Sequence, residues 1–184
     1  MRGITTSQAS RSSYWRIAII CVPLIVIIGS LMGYLSNSSE NNAWFQALDR
    51  PDFTPPGWAF GLVWPLLYIM IGLSLAMIIH ARGARGRGFA LILFMVQLVA
   101  NFAWSPLFFG AHQVTLSLYL ILFILMVTIA TIFAVAPVRK AAAWLLVPYM
   151  IWLSFASILN YQIEQRNPDA ETLVPHAATT QIAK

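Results

Sequence analysis

The stretch "PDFTPPGWAFGLVWPLLY", residues 51–68, fixes what kind of protein this is. It sets four prolines among Trp58, Phe60, Trp64 and Tyr68 and carries no charge beyond Asp52. The Pro55-Pro56 pair stops any preceding helix, while Pro56 suits the first turn of a new one. Phe60, Trp64 and Tyr68 then step by four residues and share one helical face. No acid, base or thiol stands among them. Such a face packs or stacks; it does not move protons or attack carbonyls.

The rest of the chain supplies the solvent. Of its 184 residues 59% are hydrophobic and 9% charged, against about 25% charged in an ordinary globular chain. A chain this short cannot hide that much apolar surface, so much of it faces lipid. Five apolar runs cover residues 15–35, 57–79, 89–109, 113–135 and 141–163. Each is near the ~20 residues a helix needs to cross ~30 Å of hydrocarbon. The first run follows Arg11 and Arg16 as a signal peptide would. It exceeds the usual apolar core of about 7–15 residues and lacks a small-x-small cleavage site, so it reads as a retained helix. The expected fold is an all-α integral membrane protein, a five-transmembrane-helix bundle over residues 15–163. A polar N-terminal segment, 1–14, and a polar tail, 164–184, are expected to lack fixed structure.

The connections set the wiring. "GAH" (110–112) and "APVRK" (136–140) are short enough to force antiparallel hairpins. The long connection, 36–56, holds a short helix near Asn42 to Leu48 with an asparagine cap. Lysine and arginine distribution then orients the chain. Arg2, Arg11, Arg16, Arg82, Arg85, Arg87, Arg139 and Lys140 fall on one side, and Arg50, Arg166 and Lys184 on the other. The N-terminus is expected in the cytoplasm and the 36–56 loop outside. This accounts for the net charge of +5 without a nucleic-acid partner. The lone cysteine, Cys21, rules out an intrachain disulfide framework and a cysteine-cluster metal site.

Polar groups inside the runs cost free energy and call for a reason. None is a carboxylate, lysine or arginine, which argues against ion coupling. Gln97, Asn101, Ser105, Ser154, Ser157 and Asn160 remain. Gln97, Asn101, Trp104 and Phe108 step by four, three and four along one face. That face either lines a cavity or hydrogen-bonds to a neighbouring helix. Pro148, Trp152, Ala156 and Asn160 form a similar stripe, with Tyr149 beside it. Trp15, Trp44, Trp58 and Trp144 lie near helix ends and fit the interfacial aromatic belt. Trp64, Trp104 and Trp152 lie deeper, where an indole N–H needs a partner. His80, His112 and His176 fall at helix ends or in the tail, so no histidine is placed to ligate a haem iron. Leu159, Tyr161 and Arg166 fit a loose sterol-contact pattern.

Together "RPDFTPPGWAFGLVWPLLY", "LFMVQLVANFAWSPLFFG" and "AAAWLLVPYMIWLSFASILNYQI" resemble the TspO/MBR family of tryptophan-rich sensory proteins and mitochondrial translocator proteins. The resemblance implies five membrane helices, a homodimer, and a pocket opening toward the loop between the first two helices. It implies protoporphyrin IX or haem as ligand rather than as a required cofactor, and in some members sterols or benzodiazepine-type compounds. The family's paired pocket tryptophans match Trp64 and Trp152, its asparagine Asn101, and the following aromatic Trp104. Tyr68 and Ala156 match further lining positions, and the sterol region matches "ASILNYQIEQR" with its arginine displaced by one residue. This chain departs from the family's F-G-P-V-W: Leu62 replaces that proline and Pro65 follows Trp64, where it is expected to kink or loosen the helix. Phe60, Pro56 and Arg50 complete the expected lining, with the 36–56 loop as a lid and Arg50 facing a propionate.

Three functions are compatible with this pattern: a tetrapyrrole receptor or sensor, a light-dependent protoporphyrin-degrading enzyme working through Trp64 and Trp152, and a tetrapyrrole or sterol transporter. The bacterial cell membrane is the expected location. A dimer is expected through Gly88, Ala90, Ala100 and Ala103, small residues that let backbones approach.

Overall fold

The computed structural model describes the backbone of residues 3–173 and the side chains of residues 13–173; Arg2, His176 and Lys184 lie outside them. The elements are α1 (Gly3–Leu35), α2 (Ala43–Ala47), α3 (Gly57–His80), α4 (Arg87–Ser105), α5 (Val114–Val135) and α6 (Lys140–Arg166). A five-residue π-helical turn, Pro106–Gly110, extends α4, and a short 3₁₀ turn spans Ala170–Thr172. Five helices are long and apolar enough to cross a membrane: α1 from Ser13, α3, α4 with its π turn, α5 and α6. No strand occurs among the described residues.

Each boundary has a local cause. α1 starts at Gly3, not near Trp15. Residues 3–13, expected without fixed structure, hold no proline, and extending an existing helix costs far less than nucleating one. Asn42 caps α2 as expected, its side-chain oxygen accepting the Phe45 N–H at 3.2 Å. α3 runs unbroken through Pro65, so the lost bond to the Gly61 carbonyl is tolerated without ending the helix. At the far end Arg87 donates to the Ile78 and Ile79 carbonyls at 2.9 and 3.0 Å and closes α3. The π turn begins where Pro106 can give no N–H to the Phe102 carbonyl; the ladder re-registers, and Ala111 N–H bonds the Pro106 carbonyl at 2.8 Å.

The helices close a ring in the order α1, α3, α6, α5, α4 and back to α1. α1 and α3 approach most closely, and glycines make room. A Cβ on Gly72 would sit 2.7 Å from the Val22 Cα, and one on Gly29 would strike the Tyr68 ring. Gly61, by contrast, has open space around it. Ile71, Ile78, Phe94, Ile124, Leu146 and Tyr149 are sealed inside. Ile19, Leu62, Ile92, Met126, Phe133 and Ile151 point outward, as lipid requires of a bundle with polar backbone satisfied internally. Ala90, placed with the expected dimer face, is fully buried: it takes part in the monomer's own packing. Gly88 and Ala103 are exposed.

The antiparallel wiring collects Arg16, Arg82, Arg85, Arg87, Arg139 and Lys140 at one end of the bundle. The opposite end carries the 36–56 segment, the hairpin at His112 and the end of α6. Here the tail is not loose at its start. The Asn167 amide donates to the Asp49 carbonyl at 2.9 Å and accepts the Asp49 N–H at 2.8 Å. Ala170 is buried, and its carbonyl accepts the Trp44 indole N–H at 2.9 Å. Residues 167–173 thus form a strap across the lid; the remaining tail falls outside the described residues.

Candidate functional site

The site grows from two helix faces. On α3 Phe60 and Trp64 meet Trp152 of α6, while Tyr68, one turn further on, lies against Gly29 of α1 and Phe102 of α4. The Trp152 ring centre lies 6.4 Å from that of Trp64 at 85°, and 5.6 Å from Phe60 at 75°. These are edge-to-face arrangements, the favoured geometry for aromatic quadrupoles. Trp64 also leans on Tyr68 at 5.4 Å. Ala156, one turn beyond Trp152, belongs to the same packed group.

Three phenylalanines that sequence reading passed over complete the cluster. Phe155 lies 5.6 Å from Trp152 and 6.2 Å from Phe53 of the lid. Phe102 on α4 lies 6.1 Å from Tyr68. The three-residue step from Trp152 to Phe155 was the signal available for the first; nothing local marks Phe53. The rings therefore fill the space between α3 and α6 with each other.

The deep indoles differ in how their N–H groups end. Trp104 donates to the Ser117 carbonyl of α5 at 3.1 Å and stacks on Phe108 at 5.1 Å and 14°. Its task is to join α4 to α5. The Trp152 N–H is buried and has no partner among the described residues. Asn101 is buried and its side-chain oxygen is likewise unpaired. Trp152 and Asn101 thus leave one donor and one acceptor unpaired in dry surroundings.

The other expected lining residues fall elsewhere. Arg50 lies over the Phe45 ring, 4.9 Å from its centre, a cation–π contact that holds the lid. Pro56 is exposed at the start of α3. Glu40 accepts the Gly57 N–H there, tying the lid to the positive end of α3. Leu159 is buried against the lid cluster, whereas Tyr161 is exposed on the opposite side of α6. Arg166 pairs with Asp49 at 3.7 Å. The sterol-pattern residues therefore do not share a surface.

Trp44 corrects the belt reading. It is 2% exposed, bonded to Ala170 and stacked on His112 at 4.3 Å. Being near a helix end in sequence placed it at the interface, but α2 folds inward and the strap covers it. Trp58 and Trp144 are exposed near helix ends, and Trp15 is exposed near the start of the apolar part of α1, as belt residues should be. Asn160 bonds the Ser117 hydroxyl at 3.2 Å, and Ser154 and Ser157 bond carbonyls one turn back on α6. Groups of three or more histidine, cysteine, aspartate or glutamate side chains able to hold a metal are absent among the described residues.

What the fold and site define is a multi-pass, five-helix integral membrane protein with an aromatic cluster between two of its helices and a strapped lid above it. The chain belongs to the TspO/MBR family, whose profile it matches over residues 20–166. It is 35% identical over 150 residues to Tryptophan-rich protein TspO of Chlorobaculum tepidum, covering 81% of this chain and 94% of that one. It is 34% identical over 146 residues to the Translocator protein of Homo sapiens, covering 76% and 84%. Protein CrtK of Rhodobacter capsulatus matches at 30% over 127 residues, covering 68% and 79%.

Proposed function

We propose that this protein is a membrane receptor or sensor that takes a tetrapyrrole such as protoporphyrin IX between α3 and α6 and so regulates porphyrin levels. One observation carries the reading: Trp64 and Trp152 meet at a right angle beside Phe60 and Tyr68, with the Trp152 N–H buried and unpaired. A macrocycle offers two π-faces for stacking and ring nitrogens or carbonyl-type substituents for the free N–H. Its carboxylates stay at the wet rim under the lid. No protein carboxylate or histidine is needed, and no resident cofactor. A sterol or a benzodiazepine-type compound suits the same apolar rings less fully, because it leaves one π-face without a partner.

A second reading, light-dependent breakdown of protoporphyrin, is favoured by the same contacts. Tyr68, Trp64 and Trp152 form a continuous series of oxidisable rings. Passive transport of a tetrapyrrole or sterol is the third. Incubation of the pure protein with protoporphyrin IX, lit and dark, separates them. Saturable fluorescence quenching without turnover is the expected result. Product that requires light and both tryptophans would replace the receptor by the enzyme, and uptake into sealed vesicles would replace it by the transporter. Absence of saturable binding would reject all three.

A further inference from the structure

We propose that the core of the bundle contains a neutral hydrogen-bonding site for ordered water, built by Gln97 and Asn101 of α4, Thr128 of α5 and Tyr149 of α6. Gln97, Thr128 and Tyr149 are 0% exposed and Asn101 is 5% exposed. Both amide atoms of Gln97, the Asn101 oxygen, the Thr128 hydroxyl and the Tyr149 hydroxyl have no hydrogen-bond partner among the described residues. Asn101 and Thr128 lie beside the Tyr149 hydroxyl, within reach of weak side-chain hydrogen bonds to it, at a geometry that leaves all three groups unsatisfied. Gln97 lies one turn from Asn101 on the same face of α4.

Native interiors pair nearly all such groups, with protein or with water. Four polar side chains left unpaired on three helices therefore mark a site rather than a lapse in packing. Its chemistry selects the occupant. The amides bring N–H donors as well as carbonyl acceptors, and the hydroxyls serve as either. A cation would face the amide N–H donors and find no carboxylate nearby. An anion would find no positive charge. Water, with two donors and two acceptors, matches a mixed neutral set and commonly makes about three bonds to buried groups. The full burial of three of the four side chains also excludes a large ligand.

The node adjoins the aromatic cluster through Tyr68, which leans on Trp64 and lies near Tyr149. Held water would fix the Asn101 amide in one orientation. The inference does not depend on which ligand the rings bind.

Solid-state NMR on the full chain in lipid, with asparagine and glutamine side-chain amides labelled, tests it. Cross-peaks from slowly exchanging water to the Gln97 and Asn101 amide protons are expected in the unaltered protein. Thr128→Val and Tyr149→Phe each keep side-chain shape and remove a hydroxyl. Each should weaken the cross-peaks, and the double variant should lose them while backbone spectra of the five helices persist. Thr128→Val alone keeps the test decisive if Tyr149→Phe fails to fold. Absent water cross-peaks in the unaltered protein, with Gln97 and Asn101 instead contacting other side chains directly, would overturn the proposal. So would full-strength cross-peaks in Thr128→Val.

Discussion

Trp64 and Trp152 carry the sharpest expectation for a single side chain. Stacking on an aromatic pair contributes about 0.5–1.5 kcal/mol beyond burial, so Trp64→Phe or Trp152→Phe should weaken porphyrin affinity several-fold and no more. Any light-dependent loss of porphyrin should fall much further, because phenylalanine is far harder to oxidise. Trp58, 72% exposed, is the control, and Trp58→Phe should alter neither property. Quenching and photobleaching measured together in all three variants check this; equal behaviour would make the deep tryptophans ordinary packing. Trp152 should be the more sensitive of the two, since its N–H is the one buried without a partner.

Among the elements, the lid and its strap are joined by a buried cluster and by polar contacts of unequal weight. Asn167 bonds both backbone groups of Asp49 and the Ile163 carbonyl at 2.8 Å. Net values near 1 kcal/mol per bond predict that Asn167→Ala lowers lid stability by about 1–2 kcal/mol. Faster proteolysis within residues 36–56 and faster porphyrin association should report it. The Arg166–Asp49 pair is largely solvent-exposed and worth at most ~1 kcal/mol, so Arg166→Ala should change little, and less still in high salt. The α1–α3 contact behaves differently. The backbone at Val22 leaves no room for a Cβ on Gly72, so Gly72→Ala must push the helices apart at a cost of roughly 1–3 kcal/mol. A lower melting temperature in detergent, with α1 more accessible to apolar labels, is the expected signature.

For the molecule as a whole, two properties depend on its surroundings. The bundle end rich in arginine and lysine should face the cytoplasm. Alkaline phosphatase fused after residue 173 should be active and the same fusion in the 82–86 loop silent; the reverse pattern would invert the chain. A dimer, if it forms through α4, uses the outward Gly88 and Ala103 with the apolar residues beside them, because Ala90 is spent inside. Cysteines at Gly88 or Ala103 should cross-link two copies in mild detergent, whereas one at the lipid-facing Met126 should not.

The number of membrane helices, the extents of all but the first, the hairpins and the α2 cap were legible because each follows from neighbours within a turn or two: apolar runs long enough for a bilayer, prolines, a capping asparagine; the polar N-terminal extension of α1 carried no such signal. The pairing of Trp64 with Trp152 was anticipated through resemblance to the family, and the α3 stripe through its spacing. What spacing could not show is which partner each polar or aromatic group meets. Trp44 and Ala170 stand 126 residues apart, Asp49 and Asn167 118, and Asn160 and Ser117 43. No pattern along the chain encodes those contacts. A buried indole and a belt indole look alike near a helix end, and so do an amide that joins two helices and one that is left free. Periodicity tells how a helix divides between lipid and protein; only the packing of α4, α5 and α6 separates Trp104, bonded to its neighbour, from Trp152, Asn101 and Gln97, whose polar atoms the protein leaves unpaired.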